Sequence, residues 1–168
     1  MKDIDILQLG RKYDLWHERV VHKLYESGIT YLYEKVKGEV IFKSRDEFID
    51  GLGRSKISVC FPKSLTHSNL SGGITTMTNR YLQSILSRCL ILGEIPDEMK
   101  ELFGYDPGVK VDMNDPAGQV VDILKNFPNY IPLIEKNYNE CLRNHSWQSR
   151  WLRILDNSIS QQSWRREV

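Results

Sequence analysis

Lys63, Thr75, Thr76 and Thr78 share one polar stretch with Gly72 and Gly73, between an apolar run ending at Phe61 and a helical pattern beginning near residue 78. A cation, hydroxyls and glycine-loosened backbone just ahead of a helix are the parts of a phosphate seat. The first amides of a helix lack partners and its dipole favours negative charge. Compact domains usually join neighbouring elements with about 4–6 residues, and longer loops tend to be functional. Gly10 and Arg11 repeat the theme directly after the first apolar run. One diphosphate is best held by two charges from separate loops, so Arg11 and Lys63 are worth more together than apart. Arg80, in the first turn of the helix, opposes the local dipole at a small cost that a bound anion would offset. The candidate anion-binding residues are therefore Gly10, Arg11, Lys63, Thr76, Thr78 and Arg80. Plainer readings stand beside this one: Thr76 and Thr78 suit helix caps, Gly10 a simple turn, Arg11 and Lys63 solvated surface cations.

Those residues need a frame to bring them together. Ile4, Ile6, Leu7 and Leu9 stop at Gly10, as a buried parallel strand would. Residues 14 to 27 place Trp16, Val20, Val21 and Leu24 at helical spacing, with Asp14 at the start and Gly28 just past the end. Ile29 to Tyr33 reads as a second strand, and the Lys37-Gly38 turn leads to Val40 to Phe42, either a further parallel strand or a hairpin partner. Arg45 to Arg54 puts Phe48, Ile49 and Leu52 on one helical face ahead of a strand at Ile57 to Phe61, which Pro62 ends. Residues 78 to 88 align Tyr81, Leu82, Ile85 and Leu86, Cys89 to Leu92 make the next strand, and Pro96 opens a short helix capped by Gly104. Val109 to Val111 gives a last strand. From Ala117 the pattern is helical, with breaks near Pro128 and Asn144, and a polar tail at 157–168 that is expected to fray.

Strands alternating with helices predict an α/β fold: a Rossmann-like doubly wound, mostly parallel sheet flanked by helices, with a helical carboxyl-terminal extension. Ligands on such sheets bind outside the carboxyl ends of the strands, where the winding direction reverses. The loops bearing Arg11 and Lys63 both leave carboxyl ends, so they can share one rim. Residues 1–156 are expected to form a single domain, which suits a chain of 168 residues that is 40% hydrophobic and 27% charged. A net charge of +1 supplies no general field for nucleic acid or an anionic membrane, so any affinity for anions is local. No apolar run is long enough to span a bilayer, and Lys2, Asp3 and Asp5 follow Met1 where a signal peptide would be apolar, so a cytoplasmic chain is expected. Cys60, Cys89 and Cys141 lack metal-site spacing and read as small core hydrophobes; no metal is predicted. His17 lies on the first helix, within reach of a phosphate at the rim, while His22, His67 and His145 have no partner at triad or metal spacing. Glu94 and Asp97 could reach sugar hydroxyls, and Trp147 and Trp151 share a helix face suited to packing.

The order of these features is familiar. Gly10-Arg11 after the first strand, Phe61-Pro62-Lys63, the helix-strand unit from Thr78 through Arg80, Tyr81, Ser84 and Cys89 to Glu94, the Pro96 to Gly104 helix, Asp112 after the Val109 strand, and the closing helix with His145, Trp147, Arg150 and Trp151 together resemble the carboxyl-terminal half of GT-B glycosyltransferases. The nearest branch is that of the spore-maturation glycosyltransferase-like proteins, and the resemblance runs over residues 4 to 155. It implies a metal-independent transferase whose carboxyl-terminal half binds a nucleoside diphosphate sugar, UDP- or GDP-linked, while an amino-terminal half binds the acceptor and carries the catalytic base. Arg11 and Lys63 would then face the donor diphosphate, Thr76, Thr78 and Arg80 would add contacts, and Gln83 would meet the ribose. Three positions depart from the family pattern: Gln83 replaces a glutamate, Thr75 an acid found in many retaining members, and Arg88 a small glycine. Two other readings stay open, an interaction module that keeps the fold without the chemistry, and a sugar-phosphate epimerase or other nucleotide enzyme on the same architecture.

Overall fold

In a computed structural model, which describes residues 2–10, 12–36 and 38–164 and the side chains up to Asp156, five strands form one parallel sheet. They are β1 (Ile4–Gln8), β2 (Tyr31–Tyr33), β3 (Ser55–Cys60), β4 (Leu90–Gly93) and β5 (Val109–Lys110), in the spatial order β2-β1-β3-β4-β5. The fold is thus the expected Rossmann-like doubly wound α/β type. The chain winds from β1 outward to β2, then returns to the other side of β1 for β3, β4 and β5. Its switch point lies between β1 and β3, the arrangement shared with flavodoxin-type sheets.

Period-two alternation divides the core between two faces. Ile6, Ile57, Val59, Leu90 and Leu92 meet Trp16, Val20 and Leu24 of α1 (Asp14–Glu26) and Ala117, Val120 and Ile123 of α6 (Pro116–Lys125). On the other face Cys60 and Ile91 meet Tyr81 and Ile85 of α4 (Asn79–Leu86), Met99 and Phe103 of α5 (Asp97–Phe103), and Cys141 of α7 (Ile131–Asn144). Leu7 and Leu9 cluster with Leu52 of α2 (Arg45–Arg54). Two buried hydroxyls, Ser58 on β3 and Ser84 on α4, hydrogen-bond at 2.7 Å and fix how α4 sits on the sheet.

Local chemistry explains most boundaries. Ser44 accepts the Glu47 amide through Oγ at 3.1 Å and Glu47 accepts the Lys43 amide through Oε2 at 2.8 Å, a close variant of the capping box, and α2 begins there. Asp115 caps α6 by accepting the Gly118 amide, with Pro116 at the first helical position. Gly104 ends α5 in the left-handed conformation.

Three expectations change. Val40 to Phe42 is a loop and neither a parallel strand nor a hairpin partner: Phe42 turns inward onto Gly51, where a Cβ would lie 2.1 Å from its ring, so the apolar residues cover α2 instead of pairing with β2. The polar stretch after β3 contains α3 (Lys63–Thr66) and a 3-10 turn at Ser68–Leu70. Ile49, expected on the apolar face of α2, is instead 53% exposed, at the edge of the stripe that buries Leu52. The last element is α8 (Trp147–Trp164). No helix among the described residues is long and apolar enough to cross a membrane.

The amino-terminal end of the sheet is fastened by a bidentate pair, with Arg54 donating from Nε to Asp3 Oδ1 at 2.8 Å and from Nη2 to Oδ2 at 2.6 Å. These bonds hold the Asp3 carboxyl down at about 2, below the ordinary carboxylate range. The folded value is the lower one, so the contribution to stability is complete above the unfolded value and is lost as pH falls through the folded one. A carboxyl NMR titration is expected to place Asp3 near 2 and to return it towards the ordinary carboxylate range in Arg54→Gln. An unchanged Asp3 midpoint in that variant would refute the assignment.

Candidate functional site

The carboxyl ends of β1 and β3 deliver Gly10 and Lys63 to the same rim. Gly10 turns the chain with φ +67, and Lys63 opens α3 immediately after Pro62. Between them lies the start of α4, whose N-cap residue is Thr78 and whose first turn contains Arg80. Gly10, Phe61, Lys63, Thr66, Thr78 and Arg80 line one cleft of 380 Å³. Residues from three separate stretches of sequence thus meet where the sheet changes winding direction.

The electrostatics of this cleft favour an anion. Among the described residues neither Lys63 nor Arg80 has an ion-pair partner. Thr78 makes no side-chain capping bond, so its hydroxyl is not spent on the amides of the helix it precedes. The helix dipole adds partial positive charge at the same place. The Arg80 guanidinium lies directly against Gly10: a Cβ built on Gly10 would stand 2.7 Å from Nη2. Below it, burial pushes the Cys60 thiol up while the Arg80 charge opposes that shift. The thiol is therefore a packed, un-ionised group and not a nucleophile.

A second cleft of 390 Å³ shares Gly10 and Arg80 with the first and extends over Leu9, Phe42, Phe48 and Gln83. Gln83 thus stands in the neighbouring cleft, one turn further along α4 from Arg80. Thr76 is exposed and lines neither cleft, and Thr75 hydrogen-bonds Ser64 at 2.8 Å across the loop. Arg11 lies outside the described residues. Gly72 and Gly73 adopt positive φ in open space away from both clefts.

The remaining candidates are engaged elsewhere. His17 Nδ1 lies 2.9 Å from the Tyr31 hydroxyl, which donates to buried Gln8 Oε1 at 2.5 Å, and its ring meets Tyr33 edge-on at 4.5 Å. Burial, followed by the Lys12 charge, pulls the His17 pKa down. Glu94 pairs with Lys110 at 3.5 Å and Asp97 with Lys100 at 3.5 Å. Arg88 has φ +55, the left-handed conformation that a glycine would take without strain. Its Nε donates to Glu135 at 2.8 Å and its guanidinium lies 3.6 Å from the centre of the Tyr138 ring, so it straps the end of α4 to α7. Sequence reasoning missed the second cleft, because the loop residues that line it read as a strand. Among the described residues no group of three His, Cys, Asp or Glu could hold a metal ion.

A doubly wound parallel α/β sheet with a cationic cleft at its switch point is the class that fold and site define. No protein-family model matches the chain, and no curated protein matches it.

Proposed function

We propose that this chain binds a nucleoside diphosphate sugar and acts as the donor half of a metal-independent glycosyltransferase in the cytoplasm. The observation that carries the reading is the convergence of Gly10, Lys63, Thr78 and Arg80 on one cleft at the β1/β3 switch point. Its volume lies within the range of small-molecule sites, and its unpaired cations suit a pyrophosphate. The resemblance to GT-B donor domains supplies the reaction. Lys63, Arg80 and the α4 amides would stabilise the nucleoside diphosphate as it leaves, a role that preorganised positive groups perform in place of a metal ion. An acceptor-binding partner domain would provide proximity and the base, so the isolated chain would bind donor with little turnover.

Calorimetric titration with UDP, GDP and their sugars tests this. Millimolar or tighter binding is expected, weakened about tenfold or more in Lys63→Ala and in Arg80→Ala, because a charge-assisted hydrogen bond contributes about 1.5–3 kcal/mol. Arg11→Ala is expected to act in the same direction. Binding that ignores all three substitutions, or no binding at all, would sink the proposal. The second outcome would favour an interaction module, for which Trp147 and Trp151, 76% and 58% exposed on α8, offer a contact surface.

A further inference from the structure

The cleft beside the cationic one has a different character. Its lining includes the apolar residues Leu9, Val40, Phe42 and Phe48, and the two phenyl rings meet edge to face with centroids 6.3 Å apart. Its polar rim carries two carboxylates, Glu34 and Glu39. A carboxylate only accepts hydrogen bonds, so the part of a ligand lying here must be uncharged or cationic, offer N–H or O–H donors, and have an apolar face. Because the clefts share Gly10 and Arg80, one extended molecule can place an anionic group against Lys63 and a flat, donor-bearing group over Phe42 and Phe48.

The two carboxylates have different tasks. Glu34 accepts the Gly38 amide through Oε1 and closes the turn that Gly38 makes with φ +89, so one of its oxygens is already used. Glu39 follows that turn, is exposed, and has no side-chain partner among the described residues. Both of its oxygens are therefore available to a pair of adjacent donors. Guanine presents such a pair, with N1–H and the 2-amino group side by side. Uracil has a single N–H flanked by two carbonyls, which a carboxylate repels, while adenine and cytosine set a ring-nitrogen acceptor beside their amine. We infer that the ligand is a guanine nucleoside diphosphate, with Glu39 reading the base edge and Glu34 holding the turn that positions it. This inference rests on the cationic cleft being a diphosphate seat.

The test is calorimetry on the full chain with GDP, IDP, ADP and UDP at one salt concentration. GDP is expected to bind at least about tenfold more tightly than UDP or ADP, the scale of one good bidentate base contact. IDP lacks the 2-amino group and falls between them. Glu39→Gln removes the preference for GDP by lowering GDP affinity, while UDP, relieved of the carboxylate's repulsion, binds no more weakly than before. UDP or ADP binding as tightly as GDP, or a Glu39→Gln chain that loses all four nucleotides equally, overturns the inference. Equal binding of GDP and UDP that disappears in Arg80→Ala ends the guanine assignment alone. A chain that binds no diphosphate ends both this inference and the donor-binding proposal.

Discussion

Gly93→Ala is expected to destabilise the fold by about 3 kcal/mol or more, enough to leave much of the protein unfolded at moderate urea. Gly93 ends β4 opposite Cys60, with φ +152. A methyl group there would stand 1.9 Å from the Cys60 carbonyl oxygen and 2.8 Å from its carbon, both backbone atoms. That oxygen cannot easily retreat, because it accepts the Glu94 amide at 3.2 Å, and the Tyr81 hydroxyl, which donates to the Glu94 carbonyl at 2.7 Å, packs beside it. Relief would require the ladder between β3 and β4 to open beneath the cleft. The measurement is the urea midpoint and slope by circular dichroism; a variant within about 1 kcal/mol of the parent would contradict the steric argument.

Gly10→Ala probes the cleft itself. The left-handed conformation costs an alanine about 1–2 kcal/mol, so a moderate loss of stability is expected. The larger effect falls on ligand affinity. A Cβ at residue 10 meets the far end of a flexible side chain, Arg80 Nη2, and the guanidinium must leave its place between the two clefts. Diphosphate affinity is expected to fall about tenfold or more, by the worth of the charge-assisted contact. A double-mutant cycle separates this from general damage: Gly10→Ala should have almost no further effect on affinity in an Arg80→Ala background. Additive losses would show that Gly10 acts on the ligand by a route other than Arg80.

The reach and failure of sequence reasoning follow from how local each signal is. The helix from Arg45 to Arg54 is readable from the helical spacing of Phe48 and Leu52, while Gly104 ends α5 by its own backbone preference. The run Val40 to Phe42 misleads because composition reports burial and not the partner: its apolar residues are taken up by Gly51 and the neighbouring cleft instead of by a strand. Ile49 misleads for a related reason, since helical spacing alone does not say how wide a stripe the sheet will cover. Gly10, Lys63, Thr78 and Arg80 are far apart in sequence, and only the rule that ligands sit at the carboxyl ends of a reversing parallel sheet brings them together. Thr76 belongs to the same local pattern and still lies outside the cleft, because a capping residue type does not say which threonine the helix will use.

Arg88 gives helix α4 two unlike ends. The final turn is tethered to Glu135 and Tyr138, whereas the leading turn presents Arg80 with no counter-charge among the described residues. Between the two ends the Ser58–Ser84 bond and the buried Tyr81 hold the helix body to the sheet. An anion pulling on Arg80 therefore works against a fixed rod, and its response is confined to that side chain and the leading turn at the rim.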